Sequence, residues 1–200
     1  PAMPLVEEYK ALGSFKEFAD KIAEYEMAGK PNFFTFDVAP DFMNAQMNVL
    51  WADAPGIILP DTTYYEEGNE KGKELLAIWR KMQEELLPKF GFSKEETKDI
   101  LDKYLELDAK LAKYVLSNEE SSEYAKLYHP YSYEDFKKFA PALPLDDFFQ
   151  AVIGQTPDKV IVDEERFWQA AEQFYSEDAW PLLKASLILS VVNLSTSYLT

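Results

Sequence analysis

The sequence predicts a mainly α protein, a multi-helical domain with a short β-hairpin near its N-terminus. Three observations carry this expectation. Apolar residues recur at helical spacing over most of the chain. Two Ser-x-x-Glu pairs, Ser14/Glu17 and Ser93/Glu96, stand where helices should begin. Only one stretch, residues 34–51, alternates with a period of two.

The elements follow in order. Ser14 is expected to cap a helix carrying Phe15, Phe18, Ala19, Ile22 and Tyr25, the second of two short helices between Leu5 and Met27. Gly29-Lys30-Pro31 ends that pattern. Phe34, Phe36 and Val38 then alternate with polar positions, and after Ala39-Pro40-Asp41 so do Ala45, Met47, Val49 and Trp51, which predicts the hairpin. Residues 42–50 could also form a short helix, but the period of two favours a strand. From Glu70, the stripe Leu75, Ile78, Trp79, Met82 and Leu86 predicts a helix ended by Pro88 and Gly91. Ser93 opens the clearest helix, with Ile100, Leu101, Tyr104, Leu105, Ala109, Leu111, Ala112 and Val115 on one face. Ser117–Ser122 reads as a loop and Tyr133–Phe139 as a short helix. Asp146–Phe149 suits a helical turn, and Val160-Ile161-Val162 a short strand. Asp163 is expected to cap a helix bearing Phe167, Trp168, Ala171 and Phe174.

The last segment has a different character. Between Trp180 and Leu199 the single charge is Lys184, and apolar residues cover more than one helix face. Its length approaches the roughly 20 residues that span a bilayer. Lys184 and the interrupting Ser186, Ser190, Asn193, Ser195, Thr196 and Ser197 argue instead for a helix buried in a large protein. The pattern breaks off at Thr200 without a cap or stop signal, as in a piece of a longer polypeptide. Residues 1–200 are expected to form a single, mostly helical domain, since no linker or internal repeat divides them.

Composition bounds the chemistry. With 47% hydrophobic and 15% aromatic residues, including Tyr 12, Phe 14 and Trp 4, the chain is a folded globule with a core of rings. Its net charge of −16 repels phosphate backbones and anionic lipid, so neither nucleic acid nor a membrane is expected as partner. There is no cysteine, which removes disulfides, thiol nucleophiles and sulfur-ligated zinc. A cytoplasmic location is expected on that ground; secretion and the cell surface stay open. Pro1-Ala2-Met3-Pro4-Leu5 shows neither a basic nor an apolar leader region, so no signal peptide is expected in this sequence.

His129 is the single histidine, so no His-Glu-x-x-His zinc helix can form; in Tyr128-His129-Pro130-Tyr131 it reads as a structural loop residue. No Gly-x-Ser-x-Gly turn or phosphate loop occurs. The carboxylate pairs Glu66-Glu67, Asp146-Asp147 and Glu164-Glu165 are sequence neighbours that point apart on a regular element, which makes them poor acid/base dyads. No residue is assigned a catalytic, cofactor-binding or metal-binding role.

One segment carries a family likeness. Gly56-Ile57-Ile58-Leu59-Pro60-Asp61-Thr62-Thr63-Tyr64-Tyr65 resembles the Gly-Leu-x-Leu-Pro-x-x-x-Tyr-Tyr signature of neprilysin-family zinc metallopeptidases. Upstream, Phe36, Asp37, Asp41 and Asn44 resemble that family's hairpin. Downstream, Ala77–Leu87 and Leu105-Glu106-Leu107-Asp108-Ala109-Lys110-Leu111-Ala112 are similar to two of its helices, although Asp108 and Ala109 loosen the second match. Leu127–Tyr131 with Phe136, Asp158–Val162 with Phe167-Trp168, and the helix from Trp180 complete the order. The lack of cysteine resembles bacterial rather than animal members.

The resemblance implies a lid region that encloses peptide substrates beneath a catalytic domain. That domain would lie C-terminal to these residues on the same polypeptide and hold one zinc ion. Asn44-Ala45 is followed by Gln46-Met47 and does not match the family's substrate-binding strand. The chain alone is expected to be inactive, and its terminal helix, without the rest of the polypeptide, to dimerise or to pack back on the core. The rival expectation is a free-standing α-helical interaction module binding through Tyr124–Tyr133 or the terminal helix.

Overall fold

The computed structural model describes residues 3–196. The N-terminal region holds three short helices, α1 (Met3–Ala11), α2 (Phe15–Ala19) and α3 (Ile22–Met27), where two were expected. The break falls at Gly13-Ser14. Ser14 Oγ accepts the Glu17 N–H at 3.1 Å, but the Glu17 carboxylate reaches back to Gly13 N at 2.7 Å rather than to Ser14 itself.

The hairpin forms as expected from β1 (Thr35–Asp41) and β2 (Asn44–Asp53), antiparallel and turning at Phe42-Met43. It is half of a larger sheet. After α4 (Glu70–Leu86), α5 (Lys94–Leu111) and α6 (Asn118–Ser121), the chain returns as β3 (His129–Ser132). Following α7 (Tyr133–Phe136) and α8 (Leu145–Ile153) it adds β4 (Lys159–Val162), giving the order β1-β2-β4-β3. β4 lies parallel to β2 and antiparallel to β3. The His129–Ser132 segment, expected as loop, is therefore an edge strand. Pro130 weakens its local strand signal but is tolerated at an edge, where one side needs no ladder partner. The other edge is blunted too: Pro40 has no N–H, and Asp37 Oδ1 takes the Val38 N–H at 2.8 Å.

One sheet face, with Phe36, Leu50, Ala52, Val160 and Val162, packs into the main core. The opposite face forms a small cluster of Val49, Trp51 and Ile161 with Ala39 and Tyr128. The core is ringed by aromatics: Trp168 lies 5.7 Å from Phe36 and 4.7 Å from Phe136, centroid to centroid, and Phe36 lies 5.0 Å from Phe149. Such pairs add about 0.5–1.5 kcal/mol each beyond their buried area.

Two expectations at helix starts change. Ser117–Ser122 contains α6, because Ser117 and Glu120 form a full capping box. Asp163 does not cap a helix; its carboxylate accepts the Glu164 N–H at 2.8 Å, and α9 (Glu165–Gln169) begins after it.

The terminal helix, α10 (Trp180–Ser195), packs on α5 and α1 with Leu183, Leu187, Ile188, Leu189, Val191 and Val192 buried. The expected continuation to Leu199 lies outside the described residues. Dimerisation through this helix finds no support, since these apolar side chains are already covered by the chain's own core. Lys184 is explained by the same packing: its Nζ donates to the carbonyls of Lys10 and Leu12, both at 2.7 Å, where the end of α1 leaves acceptors open. Among the described residues no helix is long and apolar enough to cross a membrane.

Candidate functional site

The Gly56–Tyr65 segment joins β2 to α4, and three side chains hold it. Leu59 is buried, and Pro60 stops the extended run. Asp61 then accepts from Thr63 N (2.8 Å), Thr63 Oγ1 (2.6 Å) and Asn118 N (2.6 Å), fixing a 3₁₀ turn at Thr62–Tyr65 and tying it to α6. The Thr63 hydroxyl foremost, then the two amides, hold its carboxyl below the usual aspartate value.

The anchor is Asp108, on α5. It is 1% exposed and accepts the Ile58 N–H at 2.7 Å and the Tyr65 hydroxyl at 2.6 Å, while Tyr65 Oη accepts the Leu59 N–H at 3.1 Å. Burial raises the Asp108 carboxyl above its ordinary value, and the two donors oppose that rise. In the sequence, Asp108 and Ala109 loosen the match to the family's second helix. In the structure Leu107 and Asp108 face inward and Ala109 outward, so the buried face is rotated from the expected stripe. A buried carboxylate takes this inward position because a backbone amide and a phenol both need an acceptor there.

A second constellation lies at the C-terminal ends of the parallel strands. The register Ala52↔Val162 brings Asp53 and Asp163 side by side, with Glu164 next. Glu164 Oε2 accepts the Leu116 N–H at 2.9 Å, and Arg166 donates to Val115 O (3.1 Å) and Glu120 (2.8 Å), so α9 is laced to the α5–α6 connection. Burial, then the hydrogen bond and charge of Asp53, raise the Asp163 carboxyl. Burial foremost raises Glu164 to about 7. A cleft of about 270 Å³ beside them is lined by Leu127, His129, Asp163, Glu165 and Arg166 among others.

His129 sits at this cleft with Nδ1 2.9 Å from Val162 O, which can only accept, so Nδ1 carries the proton; Nε2 lies 3.6 Å from Glu165. Tyr131 also donates to Glu165. The histidine is thus held structurally, on a strand rather than a loop. Glu66, Glu67 and Asp147 are exposed, and Asp146 accepts from Tyr133 and Lys137 at the start of α8. None of these carboxylates converges with His129 and a nucleophile. Among the described residues no group of three His, Cys, Asp or Glu side chains could hold a metal ion, so the residues present do not fit zinc.

Comparisons with known proteins give the chain its context. The model for Peptidase family M13, N-terminal region, matches residues 1–200. A Streptococcus gordonii protein whose name places it among zinc metalloproteinases is 61% identical over the whole chain, which covers 36% of that protein. The neutral endopeptidase of Lactococcus lactis subsp. cremoris is 34% identical over 94% of the chain, which covers 30% of it. Among solved structures, PepO of Lactobacillus rhamnosis HN001 superposes with a TM-score of 0.84 at 21% identity, covering 98% of this chain and 31% of that one. The zinc metalloprotease Zmp1 of Mycobacterium tuberculosis, in complex with an inhibitor, gives 0.76 at 14%, covering 92% and 29%. These two likenesses establish the fold. The chain spans about a third of the length of the relatives it matches. By a match that runs from its first residue to its last, the chain belongs to peptidase family M13, in the N-terminal part of that family's sequence.

Proposed function

We propose that this chain is the non-catalytic, substrate-enclosing part of a zinc metalloendopeptidase that hydrolyses small peptides. The family match over residues 1–200 carries the reading, together with relatives about three times as long that are named as metalloproteinase and neutral endopeptidase. The described residues add a physical argument. A single histidine committed to Val162, and no group of three metal ligands among the described residues, support a reading in which hydrolysis is done by residues elsewhere on the polypeptide.

In this reading the zinc ion and the groups that activate water lie in the remaining two thirds of the sequence. This part supplies walls: it limits which peptides enter and excludes bulk water from the reaction. Its net charge of −16 favours approach of basic over acidic peptides, an effect that weakens with salt. A cytoplasmic location belongs to the proposal on the cysteine-free composition alone.

The test is a comparison of two purified forms. The 200-residue chain, incubated with a nonapeptide and excess zinc, is expected to retain no stoichiometric zinc and to cleave nothing above an active-site-inhibited control. The full polypeptide is expected to bind one zinc and to cleave the nonapeptide but not the same sequence embedded in a folded protein. Zinc-dependent cleavage by the 200-residue chain would overturn the proposal, as would equal cleavage of free and embedded sequences by the full polypeptide.

A further inference from the structure

The helix α4 has an apolar sector wider than its neighbours cover. At 100° per residue, Gly72, Leu76, Gln83 and Leu87 form the inward stripe, and Trp79 flanks it with its ring 5.4 Å from Tyr104 of α5. Leu75, Ile78, Met82 and Leu86 form a second stripe beside it, spaced three or four residues apart; Leu86 at its end packs on the core and Leu75 is half-buried, which leaves Ile78 and Met82 between them. These two face out: Ile78 is 50% exposed and Met82 61%. On α5, by contrast, Ile100, Leu101, Leu107 and Leu111 are all buried. A continuous half-open stripe on one helix differs from scattered surface hydrophobics, and such patches mark contact surfaces.

Two observations say what should cover it. The first is position. Gln83 of α4 donates through Nε2 to Asn193 Oδ1 at 3.2 Å, so the last turn of α10 lies against α4 beside the open stripe. Gln83 Oε1, in a residue 6% exposed, has no donor among the described residues. The second observation is length: the chain covers 36% and 30% of its relatives and matches the N-terminal model of their family over residues 1–200.

We infer that the Leu75–Ile78–Met82 face of α4 is an internal docking surface for the part of the longer polypeptide that follows α10, packed as an apolar segment along α4. The inference rests on the proposed reading that this chain is part of a longer peptidase, and it adds the place where the two parts meet. Burying Ile78 and Met82 there completes the α4 sector, as α10 completes that of α5.

The absence of cysteine from these 200 residues makes the face readable by thiol labelling. I78C and, as a solvent-facing control, K81C are prepared in the 200-residue chain and in the full polypeptide, and maleimide labelling is followed over the unsubstituted background. K81C is expected to label at one rate in both forms. I78C is expected to label rapidly in the 200-residue chain and about tenfold or more slowly in the full polypeptide. A second readout needs no substitution: peroxide oxidation of Met82, followed by mass spectrometry, is expected to slow by a similar factor in the full polypeptide.

Equal I78C rates in both forms, with Met82 equally oxidised, would overturn the inference. Slow labelling in the 200-residue chain that speeds up on dilution would overturn it in favour of a second copy. Neither readout depends on peptide cleavage. Loss of the docking surface with the peptide-size limit intact, or the reverse, therefore tells which of the two readings has failed.

Discussion

Asp108 shows how a single polar side chain can organise a junction. Asp108→Ala removes the acceptor of Ile58 N–H and Tyr65 Oη while both stay in place, so the cost is that of buried donors left unpaired to a charged partner. The expected loss is about 3 kcal/mol in urea unfolding. Tyr65→Phe strips Asp108 of one donor and Leu59 N of its acceptor, and is expected to cost about 2 kcal/mol. Gly72 tests a different force. Alanine inside a helix normally gains about 1 kcal/mol over glycine. Here its Cβ would lie 1.8 Å from the Tyr64 carbonyl oxygen, so the backbone must move. Gly72→Ala is expected to destabilise by about 3 kcal/mol, opposite in sign to the propensity, and thermal melts would show it. The family likeness was legible from Gly56–Tyr65 taken together with the hairpin before it and the helices after it. The anchor of that segment was not, because Asp108 lies 43 residues beyond Tyr65 and only the fold brings the two together.

At the scale of elements, two contacts between distant segments carry predictions. Lys184→Met keeps the apolar stem but leaves the Lys10 and Leu12 carbonyls without their charged donor. A loss of about 2 kcal/mol is expected, with faster amide exchange confined to α1 and α10. The strand-end carboxylates set a pH dependence whose sign differs from the usual one. Glu164 is raised by burial from 4.5 to about 7, so between those values the folded chain holds a proton that the unfolded chain has lost. Stability therefore falls as pH rises from about 4.5 to 7, with Asp163 adding in the same direction, and this contribution is flat above both folded values. Glu164→Gln keeps an acceptor for Leu116 N and is expected to flatten that slope in urea midpoints measured from pH 5 to 8. Helices with a clear apolar stripe were legible in sequence, whereas α6, four residues long and without one, read as a loop despite its capping box. β3 was not legible either, since a four-residue edge strand containing proline exists by virtue of its pairing with β4.

At the scale of the molecule, the proposed role as a wall of a larger peptidase ties the net charge of −16 to a prediction about peptide choice. Raising salt from about 50 to 300 mM is expected to narrow the preference of the full enzyme for basic over acidic peptides, read in kcat/KM. Equal preference at both salt levels would remove the electrostatic role.

The sequence by itself determined the helical character, the hairpin, the lack of any zinc-ligand motif and the likeness to the neprilysin family. All of these are written in local spacing or in composition. Only the tertiary structure decided that the hairpin belongs to a four-stranded sheet, that Asp108 closes the Gly56–Tyr65 junction, that Lys184 serves the end of α1, and that α4 keeps an open apolar stripe. Each of these depends on which distant residues become neighbours, and periodicity reports the face that a helix or strand buries without naming what it is buried against.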